Sequence, residues 1–213
     1  IIAGMRHWLG FPKARMQIAV PPTLASLISR GADALGHLGW RSPLRTTAME
    51  VMQDGVDGDP ARWRALTGRS VASFEQTLAA MPARSEDRIA ARMALAMPFA
   101  VAALFFLWAA SGIVGFWRAE AASGVLTAGG WPDGIARASV LFWSAVDIAL
   151  AASILVRRLA APACIAMAGV GMFYLLAASV FTPWLWADPL GSLVKVVPTI
   201  VLALVTHAML RER

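Results

Sequence analysis

Two charged side chains stand inside long apolar runs in the second half of this chain. Asp147 interrupts the run 138–156, and Lys195 interrupts the run 190–210. An ionisable group at mid-membrane costs about 2.5–3.5 kcal/mol on insertion scales. Asp147 must therefore be protonated, paired or turned toward water. Ser192, Lys195, Thr199 and Thr206 follow one another at spacings of 3, 4 and 7, which is one helical face and should point inward. Tyr174, the one tyrosine, falls in the neighbouring run 159–182. Asp147, Lys195, Tyr174, Ser192 and Thr199 are thus expected to share an intramembrane polar centre. Three chemistries fit it. Asp147 and Lys195 can be a structural ion pair that fixes helix register. They can line a pocket for a quinone-like or other amphipathic ligand, with Trp143 one turn from Asp147. They can also mark a proton or ion path, although a lone acid–base pair without an inverted repeat is thin for a transporter.

The other reactive residue types assemble into nothing. His7 and His37 are isolated and read as surface or structural histidines, and His207 reads as an interfacial or helix-terminal group. Cys164 is the single cysteine, which excludes an intramolecular disulfide and any multi-cysteine metal site. No Gly-x-Gly-x-x-Gly follows a strand pattern and no phosphate-binding loop is present, so no catalytic, cofactor-binding or metal set can be named. Nucleic acid is excluded as a partner because no basic stripe is interleaved with aromatics.

The elements that must position the polar residues are apolar runs at about 94–117, 138–156, 159–182 and 190–210. A hydrocarbon core of about 30 Å takes roughly 20 apolar residues as helix, and only a helix satisfies its own backbone there. The 213 residues are 58% hydrophobic and 15% charged, but unevenly so. Residues 1–93 carry 12 Lys+Arg and 8 Asp+Glu, and residues 94–213 carry 7 and 5. Division follows: residues 1–85 as a small helical cytoplasmic region, residues 86–213 as a membrane module. Arg84, Arg88, Arg92, Arg157, Arg158, Arg211 and Arg213 fall on one side of a four-crossing module, which places both termini in the cytoplasm, as in a bacterial inner membrane. Trp117, Trp131, Trp184 and Trp186 then form an aromatic belt at the outer boundary, with 119–136 as an outer loop. The fold class is mainly α, an integral membrane four-helix up-down bundle. Ala145, Ala149 and Ser153, with Gly169 and Gly171, are expected where helices approach closely. Asp188 and Pro189 are expected to cap and open the last span, and Pro198 to kink it.

The first region reads as short helices. One ends at Gly10, one runs over 23–38, one starts near Pro43, one opens at Asp59-Pro60 and closes at Gly68, one is capped by Ser70, and Ser85 starts the first span. Residues 14–20 suggest a short strand, and 54–58 a turn. Such pieces make a marginal core and favour packing against a neighbour. The start at Ile1 suggests an upstream portion.

Trp184-Leu185-Trp186-Ala187-Asp188-Pro189-Leu190-Gly191-Ser192-Leu193-Val194-Lys195, then Pro198, resembles the last span of DoxX-like membrane domains. Met5-Arg6-His7-Trp8-Leu9-Gly10-Phe11, Val20-Pro21, Trp40-Arg41-Ser42-Pro43-Leu44 and Asp59-Pro60 resemble the C-terminal part of atypical short-chain dehydrogenase/reductases, similar to the NAD(P)-binding accessory subunit of respiratory complex I. The resemblance implies that residues 1–85 are the C-terminal remnant of a Rossmann-type domain. It implies a module that tethers NAD(P)-binding dehydrogenase chemistry near a quinone. NAD(P) would belong to an upstream domain, since Tyr174 is followed four residues later by Ala178 rather than by the family's lysine. The alternative is a non-catalytic structural or assembly subunit of a larger respiratory or photosynthetic membrane complex, with lipid and other membrane subunits as partners.

Overall fold

A computed structural model describes residues 1–16, 19–54 and 58–211. The chain is mainly helical, and among the described residues there is no strand. It divides into two compact units, Ile1–Ala94 and Leu95–Arg213.

The first unit contains α1 (Ile2–Trp8), α2 (Pro22–His37), α3 (Thr46–Asp54), α4 (Pro60–Thr67) and α5 (Phe74–Ala80). The ends of α4 and the start of α5 are set by particular residues. Asp59 accepts the Ala61 N–H at 2.8 Å to cap α4, and Gly68, at φ +68°, closes it. Ser73, rather than Ser70, caps α5, because Gln76 three residues on completes a reciprocal capping box. α3 begins at Thr46, three residues beyond Pro43, where Thr46 and Arg45 both bond Asp33 of α2 at 2.8 and 3.1 Å. The Thr46 hydroxyl first, and the Arg45 guanidinium after it, hold the Asp33 carboxyl below its ordinary range. Trp8 of α1 donates its indole N–H to the Met81 carbonyl at 2.6 Å. Residues 14–16 and 19–20 are not a strand. Residues 17 and 18, and 55–57 of the expected turn, lie outside the described residues.

The second unit takes in the apolar part of α6 (Ser85–Trp117), then α7 (Ala119–Ala128), α8 (Asp133–Leu155), α9 (Arg157–Phe181), a 3-10 turn at Pro183–Ala187 and α10 (Val196–Arg211). Helices α6, α8 and α9 are long and apolar enough to cross a membrane, and α10 is a shorter apolar helix. The chain is an integral membrane protein. Each helix buries one stripe: Met97, Val101, Leu104, Trp108 and Gly112 in α6, and Ala203, Thr206 and Leu210 in α10. The opposite faces carry Phe99, Phe106, Leu176 and Val180, exposed as lipid-facing residues should be. α8 and α9 run antiparallel across a sharp break at Val156, and α9 and α10 likewise. The latter pair is fastened where α9 begins: Arg157 donates to the Leu210 carbonyl at 3.0 Å, and His207 Nδ1 meets the Ala161 carbonyl at 2.8 Å.

Three expectations change here. The run 190–210 is not one helix, because Asp188 organises a turn instead of capping a helix. The Asp188 carboxylate accepts the backbone N–H groups of Leu190 and Ser192 and the Ser192 hydroxyl, and Gly191 sits at φ +64°. Pro198 consequently lies in the first turn of α10, where its missing N–H is not required and no kink follows. The close helix approach is made by α6, not by Ala145, Ala149 or Gly169, which are exposed. A Cβ on Gly112 would lie 2.6 Å from the Ser144 carbonyl oxygen, and one on Gly115 would overlap the Ser144 hydroxyl. Of the small residues singled out, Gly171 does meet a neighbour, with Ile200 of α10 against it.

Candidate functional site

Asp147 lies fourteen residues into α8, about 21 Å along its axis. It is buried, with 4% of its surface exposed. Its neighbours on the same face, Ser144 and Ala151, are buried too, so the stripe spacing turns the carboxylate inward. Two hydroxyls reach it from other helices. Ser111 of α6 donates to one oxygen at 2.6 Å, and Tyr174 of α9 donates to the other at 2.7 Å. One carboxylate thus bridges three helices. A carboxylate offers about four acceptor positions, and these two bonds occupy one on each oxygen.

Lys195 is not part of this arrangement. It precedes the first turn of α10 and is exposed, and among the described residues the one ion pair is Asp33–Arg45. The expected Asp147–Lys195 pair does not form: the turn at Asp188 delays α10 to Val196, so Lys195 precedes the helix instead of facing inward from it. Lys195 instead adds its field to the Ser192 hydroxyl and the backbone groups that hold the Asp188 carboxyl below its usual range. Ser192 is taken up by Asp188, and the Thr199 and Thr206 hydroxyls donate back to the carbonyls of Lys195 and Leu202 in their own segment. The expected polar centre therefore separates. Asp147 and Tyr174 meet, with Ser111 as a third member, whereas Asp188, Ser192, Lys195 and Thr199 form a local group at the head of α10.

Asp147 and both of its donors line an open cavity of about 400 Å³ bordered by α6, α7, α8, α9 and the 3-10 turn. Five of its eighteen lining residues are aromatic, and the rest are mostly small or aliphatic. Trp143 stacks on Phe173 at 4.8 Å between centroids and stands edge-on to Tyr174 at 5.4 Å. Trp131 stands edge-on to Phe181 at 5.3 Å. Ser139, Ser144 and Thr182 add hydroxyls, and among the described residues no Lys, Arg or His lines the space. Trp108, packed near Tyr174, keeps a buried indole N–H without an acceptor among the described residues. No group of three or more His, Cys, Asp or Glu is present among the described residues to hold a metal ion.

Ser111 and α7 are the parts missing from the sequence reading. Ser111 carries a weak signal, a lone hydroxyl beside Gly112 in an otherwise apolar run. α7 carries a clearer one: Ala122, Val125, Leu126 and Gly129 recur at helical spacing with Glu120 in the first turn, and the first three line the cavity. A helix is packed there on α8 where a loop was expected.

The model of the DoxX-like family matches residues 105–204, just under half of the chain and all of the site just described. Residues 105–204 are similar to that family. No curated protein and no solved structure matches the chain. Residues 1–94 lie outside the DoxX-like match, and the resemblance of that region to dehydrogenases finds no counterpart in these comparisons. The helices of the first unit follow no described strand, and α2, its longest, opens on Pro21-Pro22 instead of a glycine-rich turn that could approach a pyrophosphate.

Proposed function

We propose that the DoxX-like domain is a four-helix up-down membrane bundle that holds a small amphipathic molecule in the cavity beside Asp147. The observation that carries this is a buried carboxylate lining a partly aromatic space of ligand size. Intramembrane ionisable groups that face such a space mark functional sites. A flat polar ring with an apolar tail, as in a quinone, suits stacking on Trp143 and Phe173. In this reading both termini face the cytoplasm of a bacterial inner membrane, and the first unit tethers an NAD(P)-binding, dehydrogenase-like partner at that face. Leu24, Leu27, Ile28 and Leu35 of α2 are 43–66% exposed, which supports a protein neighbour there. The same surface equally serves a second reading, a non-catalytic assembly subunit of a larger membrane complex.

Native mass spectrometry of the detergent-released protein tests the ligand. A bound small molecule is expected in the unmodified protein and its loss in Ala177→Phe, which fills the cavity. Retention of the same adduct by a folded Ala177→Phe protein would overturn the pocket assignment.

A further inference from the structure

The cavity has a charge character that its shape alone does not convey. Asp147 is its sole ionisable carboxylate, and no cationic side chain of the described residues lines it or pairs with Asp147. Both of its donors are neutral hydroxyls. Two neutral bonds orient a carboxylate without compensating its charge, and each oxygen retains an acceptor position. Around it stand Trp143, Phe173 and Tyr174 within 4.8–6.1 Å of one another, ring centre to ring centre. Aromatic faces are electron-rich and attract cations, more strongly where water is excluded. A carboxylate placed among several aromatic rings in a low-dielectric space is a site built for an opposite charge that arrives from outside.

We infer that this cavity recognises a protonated amine carried on an apolar body. The inference rests on the reading of the cavity as a ligand site and narrows its occupant to a cationic amphiphile, in preference to a neutral quinone or an anion. The ammonium donates to the free positions of Asp147 and lies against the ring faces, and the apolar body fills the space toward Val125, Leu126 and Leu185. Ser111 and Tyr174 act as positioning residues, since they hold the carboxylate and leave its remaining lone pairs for the ligand.

The test uses the full chain in phosphatidylcholine nanodiscs and three probes that share one ring and tail. These are 4-octylbenzylamine, 4-octylbenzyl alcohol and 4-octylbenzoic acid. Binding is read by tryptophan fluorescence, with protein-free discs subtracted for partitioning. The amine is expected to bind about tenfold more tightly than the alcohol, and the acid more weakly than either. In Asp147→Asn the advantage of the amine should collapse, leaving amine and alcohol within about threefold of each other. Trp143→Leu, which leaves the carboxylate network in place, should weaken the amine more than the alcohol. An alcohol that binds as tightly as the amine in the unmodified protein overturns the inference and leaves the ligand site standing. So does an amine preference that survives in Asp147→Asn. Absence of binding by all three probes overturns the ligand site itself.

Discussion

Residues 1–94 and residues 95–213 hold their helices by opposite means. In the first unit the ends of α4 and α5 are fixed by particular residues, Asp59, Gly68, and Ser73 with Gln76, while little apolar is buried: among the described residues Ala32 is its one buried hydrophobic residue. In the second, α7, α8 and α9 begin without a side-chain cap, and the order comes from the helix faces. Their apolar residues point outward as well as inward, and the polar bonds of Asp147 are on the inside. Water competes for the helix ends in one unit, and side chains satisfy the starts of α4 and α5 there. Lipid competes for none of the interior polar groups in the other, so a few hydroxyl–carboxylate bonds and glycine contacts select the packing.

The contrast breaks most visibly at Gly112. Gly112→Val pushes side-chain atoms into the Ser144 carbonyl, where backbone cannot yield. It should cost about 2–3 kcal/mol or prevent assembly, and thermal unfolding of the detergent-solubilised protein measures it. A smaller effect sharpens the role of the carboxylate. A double-mutant cycle of Asp147→Asn with Tyr174→Phe should return a coupling of about 0.5–1.5 kcal/mol, whereas the cycle with Lys195→Met should return about zero. Equal couplings would contradict the separation of the two polar groups. In the first unit, Ser73→Ala should destabilise α5 by about 1 kcal/mol, seen as faster amide exchange over 74–80 with the second unit unaffected. The weakest effect is acid-dependent. Asp33 has its folded-state pKa depressed below 3.8, so its contact with α3 contributes fully above that value. The contribution disappears as pH falls through the lower folded value. Exchange protection around Thr46 should drop in that window, and Asp33→Asn should remove the pH dependence.

The membrane helices were legible because apolar length is a one-dimensional property. The spans about 94–117, 138–156 and 159–182 are found within α6, α8 and α9. Asp147 and Tyr174 were singled out by rarity, since a lone acid and a lone tyrosine stand out in apolar sequence. Lys195 stood out for the same reason and misled. Periodicity assumes the helix is already running, and Asp188 spends its carboxylate on Leu190 and Ser192, which delays α10 to Val196. Ser111 was hidden because serine is unremarkable in a membrane helix until a partner from another helix is known. In the first unit, capping residues located α4 to within a residue. Ser70 misplaced the next cap because only Gln76, three residues after Ser73, distinguishes the two serines.

One further consequence follows from the length of α10. Its 16 residues rise about 24 Å, against a hydrocarbon layer of about 30 Å. Were α10 to cross a bilayer, its helical apolar length would fall short of that of α6, and the bilayer beside it would thin there. Such a notch would favour shorter or more disordered acyl chains at one point of the perimeter, so the protein would sort its own lipid neighbours.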